Sequence, residues 1–221
     1  MASLPDPLFP FDQDTAHAVF ASILDGRHDE EELVTFLTAM AERDETSAEI
    51  AGAALAMRER VVPVQAPPGA IDVCGTGGDG AHSLNVSTAV AIVVAGAGVP
   101  VAKHGNRAAS SKAGAADTLE ALGLDLDRAS ERAEASLNEI GLCFLFAQKH
   151  HPALKPLGPI RKRIGRRTIF NLLGPICNPA GVTRQLIGVA RPDYLPVYAG
   201  ALERIGCDAA MMVSGDEPLD E

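Results

Sequence analysis

The chain has 221 residues, of which 47% are hydrophobic and 22% are charged, and its formal net charge is -10. This length and composition allow a sizeable hydrophobic core and argue against a disordered chain. The acidic balance argues against a protein that binds nucleic acid or anionic membranes through its overall charge, so any basic site has to be local.

Cysteine usage and hydropathy indicate the compartment. The four cysteines are widely separated and form no C-x-x-C pair, so neither a zinc centre nor a thioredoxin-type centre is indicated. The N-terminus has no charged leader followed by a continuous apolar segment, and the longest largely apolar run, Val86 to Ala97, is too short to span a bilayer. These features predict a cytoplasmic protein with reduced thiols and no membrane partner.

Hydrophobic periodicity divides the chain into two parts. Amphipathic patterns predict three N-terminal helices, at residues 12–24, 29–41 and 47–60, and a proline-rich connector follows at residues 63–69. Beyond it, apolar strands alternate with helical segments, and the strands are predicted at residues 70–74, 99–103, 143–147, 185–190 and 209–214. We therefore predict an α/β protein, with a small helical domain at residues 1–66 and a larger domain with a mainly parallel sheet at residues 67–221.

A glycine-rich segment at residues 75–80 follows the first predicted strand and leads to Asn85, Ser87 and Thr88, which are typical of a helix N-terminus. Glycine N–H groups and the positive end of a helix dipole suit phosphate oxygens. The glycines match the pattern G-x-G-x-x-G, but no acidic residue occurs from Gly80 to Ala116 to hold a ribose, and no Walker lysine follows. Taken alone, the segment is equally compatible with a structural turn.

A second polar loop, residues 103–111, follows the second predicted strand with the sequence Lys-His-Gly-Asn-Arg-Ala-Ala-Ser-Ser. A cation, amide and hydroxyl donors and a glycine are seldom needed together in a plain turn. The loop therefore predicts anion binding, and both loops are predicted to hold phosphate oxygens.

These two loops, the segment Arg167 to Pro175 and the closing Leu219-Asp220-Glu221 resemble the ordered motifs of the anthranilate phosphoribosyltransferase family. The resemblance covers nearly the whole chain. It implies the nucleoside phosphorylase/phosphoribosyltransferase-like architecture, an active site between the two domains and a homodimer formed through the small domains. The implied reaction is transfer of the 5-phosphoribosyl group from phosphoribosyl pyrophosphate (PRPP) to the amine of anthranilate, with release of pyrophosphate, in tryptophan biosynthesis.

The same resemblance implies Mg²⁺ as cofactor, with Ser87, Asp220 and Glu221 as ligands, and oxygen atoms of these kinds are the ligands that magnesium prefers. The residues implied to contact PRPP are Gly75, Gly78, Asp79, Ser83, Asn85, Val86, Ser87, Thr88, Lys103, His104, Gly105, Asn106, Arg107, Ala108, Ala109, Ser110, Ser111 and Ala115.

Three residues are expected to act on the acceptor. Arg161 is predicted to hold the anthranilate carboxylate through two parallel hydrogen bonds, and Asn106 to hydrogen-bond the amine or the carboxylate. His104 is expected to accept a proton or to position the substrate, and His151 to line the same path. Pro156 and Pro159 make a regular helix before Arg161 doubtful.

Two other functions stay open at this point. A pyrimidine nucleoside phosphorylase shares the fold and a lysine-containing phosphate loop, although its loops differ from residues 103–106. A catalytically silent relative that binds nucleic acid would use the basic residues at 161–167, against which the overall acidity argues. Phosphoribosyltransferases of the other common fold are excluded, because they carry two adjacent acids where Asp72 stands alone.

The family's chains continue well beyond the Asp-Glu pair at residues 220 and 221. A last strand with no following helix would leave apolar surface uncovered. The sequence is therefore expected to be incomplete, and marginally stable on its own.

Overall fold

The computed structural model describes residues 3–77, 85–108 and 114–215. Its N-terminal part consists of three helices, each begun by a side-chain cap that satisfies N–H groups of the first turn. Asp12 and Asp29 cap the first two, and Thr46 and Glu49 form a capping box at the third. The predicted helices are confirmed to within two residues, as α1 (Gln13–Leu24), α2 (Glu30–Arg43) and α3 (Ser47–Arg58).

In the described part of the chain five strands follow, all at the predicted places, with ends shifted by at most two residues. They are β1 (Asp72–Gly75), β2 (Val101–Gly105), β3 (Leu142–Phe146), β4 (Arg184–Gly188) and β5 (Ala209–Val213). The helices between them are α4 (Val86–Gly96), α5 (Ala115–Ala121), α6 (Leu126–Glu131), α7 (Ala133–Ile140), α8 (Ala147–His150), α9 (Leu157–Ile164) and α10 (Leu195–Arg204).

All described strand pairs are parallel, as predicted: β1 with β4, β4 with β5, and β2 with β3. The two groups meet at Ile71, whose N–H donates to Pro100 at 2.9 Å and whose carbonyl accepts from Ala102 at 2.9 Å. The strand order is therefore 3-2-1-4-5, with the chain passing outward from β1 to β3 and then returning beside β1. In such sheets, ligands bind at the carboxyl ends of the strands near the reversal.

The largest buried cluster joins the helical part to the chain beyond residue 156. Phe20 of α1 packs edge to face on Phe170, with the ring centroids 5.8 Å apart. The fully buried Tyr198 of α10 donates its hydroxyl to the carbonyl of Leu172 at 2.6 Å. A second cluster lies under β2 and β3. The segment 167–175 is thus held between α1 and α10.

The prediction that Pro156 and Pro159 disrupt a regular helix before Arg161 was wrong, because α9 begins directly after Pro156 and includes Pro159 and Arg161. Pro156 is the residue before the helix and Pro159 is its third residue, where backbone N–H groups have no acceptor within the helix. Proline therefore removes no helical hydrogen bond here. The helix ends at Gly165, whose φ of 67° is the left-handed conformation that favours glycine.

A charged network joins the α2–α3 corner to the start of α10. The guanidinium groups of Arg167 and Arg191 both lie over the ring of Tyr194, 4.5 and 4.4 Å from its centroid. Its hydroxyl lies 2.9 Å from Asp44 and 2.7 Å from the buried Glu45. Arg167 also binds Glu45 at 2.9 Å, so the beginning of the 167–175 segment is fixed to the helical part.

Among the described residues, none of the four cysteines forms a disulfide, and no helix is long and apolar enough to cross a membrane. Residues Ala209 to Met211 of β5 are exposed.

Candidate active site

The two polar loops begin at the same edge of the sheet. Strand β1 ends at Gly75 and β2 at Gly105, and both are followed by loop residues. Beyond Gly75, the N–H of Thr76 donates to Gly188 at 2.9 Å and its hydroxyl accepts from the N–H of Ala190 at 3.2 Å. The start of the first loop is therefore fixed to the end of β4, beside the reversal of strand order.

Lys103 and Ser87 are brought together between these loops. The side chain of Lys103 is 3% exposed, and its ammonium group donates to the carbonyl of Val73 at 2.8 Å and to the hydroxyl of Ser87 at 3.1 Å. Ser87 lies in the first turn of α4, where helical N–H groups and the helix dipole favour anions. A cation, a hydroxyl group and a helix N-terminus thus meet at one place.

Helix α4 begins after Asn85, as predicted, but Asn85 is not a side-chain cap. Its amide instead donates to the hydroxyl of Thr118 on α5 at 2.6 Å. The residue therefore connects the beginning of α4 to the helix that follows the second loop. Two other predicted PRPP-binding residues lie in this turn. Val86 is exposed and Thr88 is buried.

The second loop leaves β2 through Gly105 and returns at Gly114. A Cβ on Gly105 would lie 2.8 Å from the ring of Phe144, and one on Gly114 would lie 2.4 Å from the N atom of Ala108. A side chain at Gly114 would therefore clash with the backbone, and one at Gly105 would have to displace the ring of Phe144. The carboxylate of Asp117 accepts the N–H groups of Ala108 and Gly114, each at 2.9 Å, and these bonds lower the pKa of Asp117.

Asn106 and Arg107 lie on the exposed part of this loop. The side-chain oxygen of Asn106 accepts the N–H of Arg107 at 2.8 Å. Arg107 forms ion pairs with Asp117 at 2.9 Å and Glu120 at 2.7 Å, and its guanidinium lies over the ring of Phe146. The structure therefore directs Arg107 towards α5. Ala115, also a predicted site residue, is the first residue of that helix.

His104 is buried, and its backbone N–H and both ring nitrogens have partners. Its backbone N–H donates to Asp72 at 3.0 Å, its Nδ1 lies 2.9 Å from the carbonyl of Gly174, and its Nε2 lies 3.2 Å from Nε2 of His151. Burial is the main cause that lowers the pKa of His104, and Asp72 opposes it. Burial likewise lowers the pKa of His151 to about 3. Both imidazoles are therefore neutral at pH 7.

Arg161 lies on α9 and is partly buried. Its guanidinium lies 6.0 Å from the centroid of Phe170, and burial lowers its pKa. Within the described ranges, Arg161 forms no ion pair and no hydrogen bond to His104 or Asn106. A partly buried arginine of this kind can donate two parallel N–H groups to an anion.

Sequence reasoning missed three residues that organise the candidate site: the buried Asp72 and Asn178, and the partly buried Asp117. Asp72 is fully buried; its carboxylate accepts from the backbone of His104 and, at 2.7 Å, from the amide of Asn178. Asn178 also donates to Ala102 at 2.7 Å. An acidic residue inside a strand of apolar neighbours was the available signal for Asp72, since buried carboxylates need specific partners. The signal for Asp117 was weaker, because acidic residues are common in first helical turns.

Several predicted site residues lie outside the described ranges, and they are Gly78, Asp79, Ser83, Ala109, Ser110, Ser111, Asp220 and Glu221. Ser87 is therefore the one predicted metal ligand within these ranges. No cluster of three or more His, Cys, Asp or Glu residues suited to a metal ion occurs among the residues that are described.

Comparison with known proteins agrees with this architecture. The model of the glycosyl transferase family, helical bundle domain, matches residues 9–61, and that of the glycosyl transferase family, a/b domain, matches residues 67–221. Anthranilate phosphoribosyltransferase of Novosphingobium aromaticivorans is 62% identical over 221 residues, which are 100% of this chain and 67% of the relative. The chain thus spans about two thirds of the length of that relative.

Solved structures give the same result. The anthranilate phosphoribosyltransferase of Thermus thermophilus matches with a TM-score of 0.91 and 41% identity, over 99% of this chain and 68% of that one. The Saccharomyces cerevisiae enzyme, solved in complex with PRPP and Mg, matches with a TM-score of 0.86 and 32% identity, over 95% of this chain and 63% of that one.

The helical bundle and α/β domain define a glycosyl transferase. At this identity and coverage, the chain belongs to the anthranilate phosphoribosyltransferase family.

Proposed function

We propose that this chain transfers the 5-phosphoribosyl group of PRPP to the amine of anthranilate, giving N-(5-phosphoribosyl)anthranilate and pyrophosphate. The meeting of Lys103 and Ser87 at the first turn of α4, between the two loops, is the observation that carries the proposal. A buried ammonium group beside a helix N-terminus suits a polyanion. The relatives' names supply the acceptor.

On the donor side, we assign binding to the two loops. Their backbone N–H groups and Lys103 stabilise the negative charge that grows on pyrophosphate as the bond to ribose breaks. Lys103 is held by Val73 and Ser87, so its charge is fixed in place before the donor binds. Asp117 keeps the two ends of the second loop together. We propose that the residues implied by the family resemblance bind PRPP, with the exception of Arg107. The side chain of Arg107 is directed to α5.

On the acceptor side, we assign the anthranilate carboxylate to Arg161. A planar guanidinium forms two parallel hydrogen bonds to a carboxylate and so orients the aromatic ring as well as binding it. The amine of anthranilate is neutral at pH 7, so its lone pair is available for attack with little help from a base. Asn106 keeps its proposed role in contacting this substrate.

Mg²⁺ is the proposed cofactor, and the relative from Saccharomyces cerevisiae was solved with PRPP and Mg. The hydroxyl of Ser87 is a hard oxygen donor of the kind that magnesium accepts, and we propose it as a ligand together with Asp220 and Glu221. When bound, the ion would neutralise charge on pyrophosphate. Because Lys103 lies 3.1 Å from Ser87, phosphate oxygens are needed there to balance the two positive charges.

Three wider assignments are also proposals. The division into domains at residues 1–66 and 67–221 is supported by the ranges of the two family matches. A homodimer through the helical part follows from the family resemblance. A cytoplasmic location is supported by cysteines that form no disulfide among the described residues, with burial raising the pKa of Cys143 and of Cys177 to about 12.

The test is consumption of anthranilate, followed by its fluorescence, with PRPP and magnesium added separately and together. Consumption that requires both additions is the expected result. Parallel reactions with a pyrimidine nucleoside and phosphate test the phosphorylase alternative, and salt-sensitive DNA binding tests the silent relative. A chain that is folded by circular dichroism and consumes no anthranilate would refute the proposed activity for this chain.

A further inference from the structure

Tyr194 is the centre of the charged network at the α2–α3 corner, and its hydroxyl uses its full hydrogen-bonding capacity. The oxygen accepts the backbone N–H of Glu45 at 3.2 Å and an N–H of the Arg167 guanidinium at 2.7 Å. A phenol has one proton to donate, and the carboxylates of Asp44 and Glu45 lie 2.9 and 2.7 Å away. The hydroxyl therefore joins the helical part to the first residue of the segment 167–175.

The backbone of Asp44 shows that this corner is held under strain. Among the described residues, Asp44 is the one non-glycine residue with a positive φ, at 63° with ψ at 152°, a region that is almost reserved for glycine. Such strain persists only where the surroundings fix it. The carboxylate of Asp44 accepts two bonds from Arg191, at 2.8 and 3.2 Å, beside the hydroxyl of Tyr194. These side-chain contacts hold the corner in a conformation that the backbone alone disfavours.

Glu45 makes the network sensitive to the loss of one partner. Its side chain is fully buried, and its Oε1 has no hydrogen-bond partner in the described residues. Oε2 accepts from Arg167 at 2.9 Å and lies 2.7 Å from the hydroxyl of Tyr194. Because a buried carboxylate is costly without its partners, removal of this hydroxyl should shift both Glu45 and Arg167.

A short turn connects Arg167 to the acceptor side of the candidate site. The backbone N–H of Thr168 donates to the side chain of Asn171 at 3.1 Å, and its carbonyl accepts the N–H of Asn171 at 2.9 Å. These two bonds close a 3₁₀ turn around Phe170. The guanidinium of Arg161 lies over the ring of Phe170, 6.0 Å from its centroid, and forms no ion pair among the described residues. The ring is therefore the group that can orient this guanidinium.

We propose that Tyr194 is a positioning residue for the carboxylate of the acceptor. Its hydroxyl fixes Arg167 to the helical part, the turn that follows holds the ring of Phe170, and this ring orients the guanidinium of Arg161. The inference rests on the proposed function, in which Arg161 holds the carboxylate of anthranilate. It gives the Tyr194 network a role in selecting one substrate and none in binding the other.

The first experiment compares two hydroxyl groups that join the helical part to the beginning of α10. Tyr194→Phe removes one of them and keeps the ring beneath both guanidinium groups. Ser47→Ala removes the other, which donates at 2.7 Å to the carbonyl of Val197 on α10 and not to the segment 167–175. Urea unfolding of both variants shows how much stability each hydroxyl contributes.

We expect Tyr194→Phe to raise the KM for anthranilate by about three- to tenfold, the value of one hydrogen bond. The KM for PRPP should stay within about twofold, because Lys103 and its partners share no residue with the network. Ser47→Ala should change neither value. Glu45→Gln, which weakens the bond to Arg167, should give the same pattern as Tyr194→Phe and replaces it if that variant does not fold. A rise in both KM values, or equal rises in Tyr194→Phe and Ser47→Ala, would overturn the role given to Tyr194.

A double-mutant cycle shows whether the effect passes through Arg161. In an Arg161→Gln background the guanidinium is absent, so Tyr194→Phe should change the KM for anthranilate by less than about twofold. The full three- to tenfold rise in that background would mean that Tyr194 acts by another route, which would overturn the inference.

The last experiment needs no turnover and so separates this inference from the proposed function. The ring current of Phe170 displaces the NMR signals of groups that lie over its face. We expect the ¹H–¹⁵N signal of Arg161 Nε, assigned with Arg161→Gln, to shift in Tyr194→Phe and to stay in place in Ser47→Ala. An unchanged signal in Tyr194→Phe would overturn the inference. A folded wild-type chain that shows the expected shift and no turnover would contradict the proposed function and leave the link from Tyr194 to Arg161 standing.

Discussion

The carboxylate of Asp117 accepts the backbone N–H of Ala108 at 2.9 Å, and so joins the first turn of α5 to the outgoing end of the second polar loop. The same oxygen accepts the N–H of Gly114 at 2.9 Å, at the returning end of the loop. One carboxylate therefore holds together two backbone positions that are six residues apart in sequence. This contact holds the two described ends of the second loop together.

We expect Asp117→Ala to raise the KM for PRPP by about tenfold or more, because two charge-assisted hydrogen bonds that order the loop are lost. The KM for anthranilate should change less. Initial rates measured against each substrate in turn give the answer. Glu120→Gln is the matched control, since Glu120 lies on the same helix and contacts only the exposed Arg107 among the described residues. Equal effects of the two substitutions would contradict the role of Asp117.

Arg161→Gln should raise the KM for anthranilate by roughly ten- to a hundredfold and leave the KM for PRPP nearly unchanged, because a charge-assisted bond to a carboxylate is lost. Arg163→Gln serves as the control on the same helix. Arg163 forms exposed ion pairs with Glu30 and Glu31, which contribute little to stability. If Arg161→Gln instead raised the KM for PRPP, the anion held by this side chain would be a phosphate and not the anthranilate carboxylate.

The order of helices and strands could be predicted from the sequence because periodicity records which face of an element is buried. The three N-terminal helices and the five strands that the structure describes were predicted this way. Helix α9 was not predicted, because proline was taken to disrupt a helix at any position. Pro159 lies in the first turn, where the missing N–H removes no helical hydrogen bond.

The structure brings together two of the predicted site residues, Lys103 and Ser87, whose side chains lie 3.1 Å apart; their roles stay predictions. Hydrogen bonds between residues far apart in sequence could not be predicted, because the sequence does not show which elements are in contact. The bond from Asn85 to Thr118 joins residues 33 positions apart, and that from Asn178 to Asp72 joins residues 106 positions apart. The engagement of both His104 nitrogens depends in the same way on Gly174 and His151.

Acid should destabilise the fold through His151. Its pKa is about 3 in the folded chain and about 6.5 when unfolded, so the unfolded chain binds the extra proton between these values. Stability is therefore unaffected by this group above about pH 6.5 and falls as the pH is lowered, by on the order of 2 kcal/mol at pH 5. Urea unfolding followed by circular dichroism at several pH values measures the slope. His151→Asn should flatten it, and an unchanged slope in that variant would show that His151 is not the group responsible.

The contact between α1 and α3 should depend on the absence of a side chain at Gly52. A Cβ there would lie 2.4 Å from the carbonyl of Gln13 and 2.7 Å from the N atom of His17, and backbone atoms of a packed helix cannot move aside cheaply.

In an open helix, Gly→Ala stabilises by about 0.5–1 kcal/mol, so the sign of the effect is informative. We expect Gly52→Ala to lower the free energy of unfolding by about 1–3 kcal/mol, since α1 and α3 must separate to admit the methyl group. Gly158→Ala on α9, where a Cβ would meet nothing within 4 Å, should be neutral or stabilising. Urea denaturation of both variants measures the difference. A Gly52→Ala variant as stable as Gly158→Ala would mean that these two helices are not packed as closely as the structure has them.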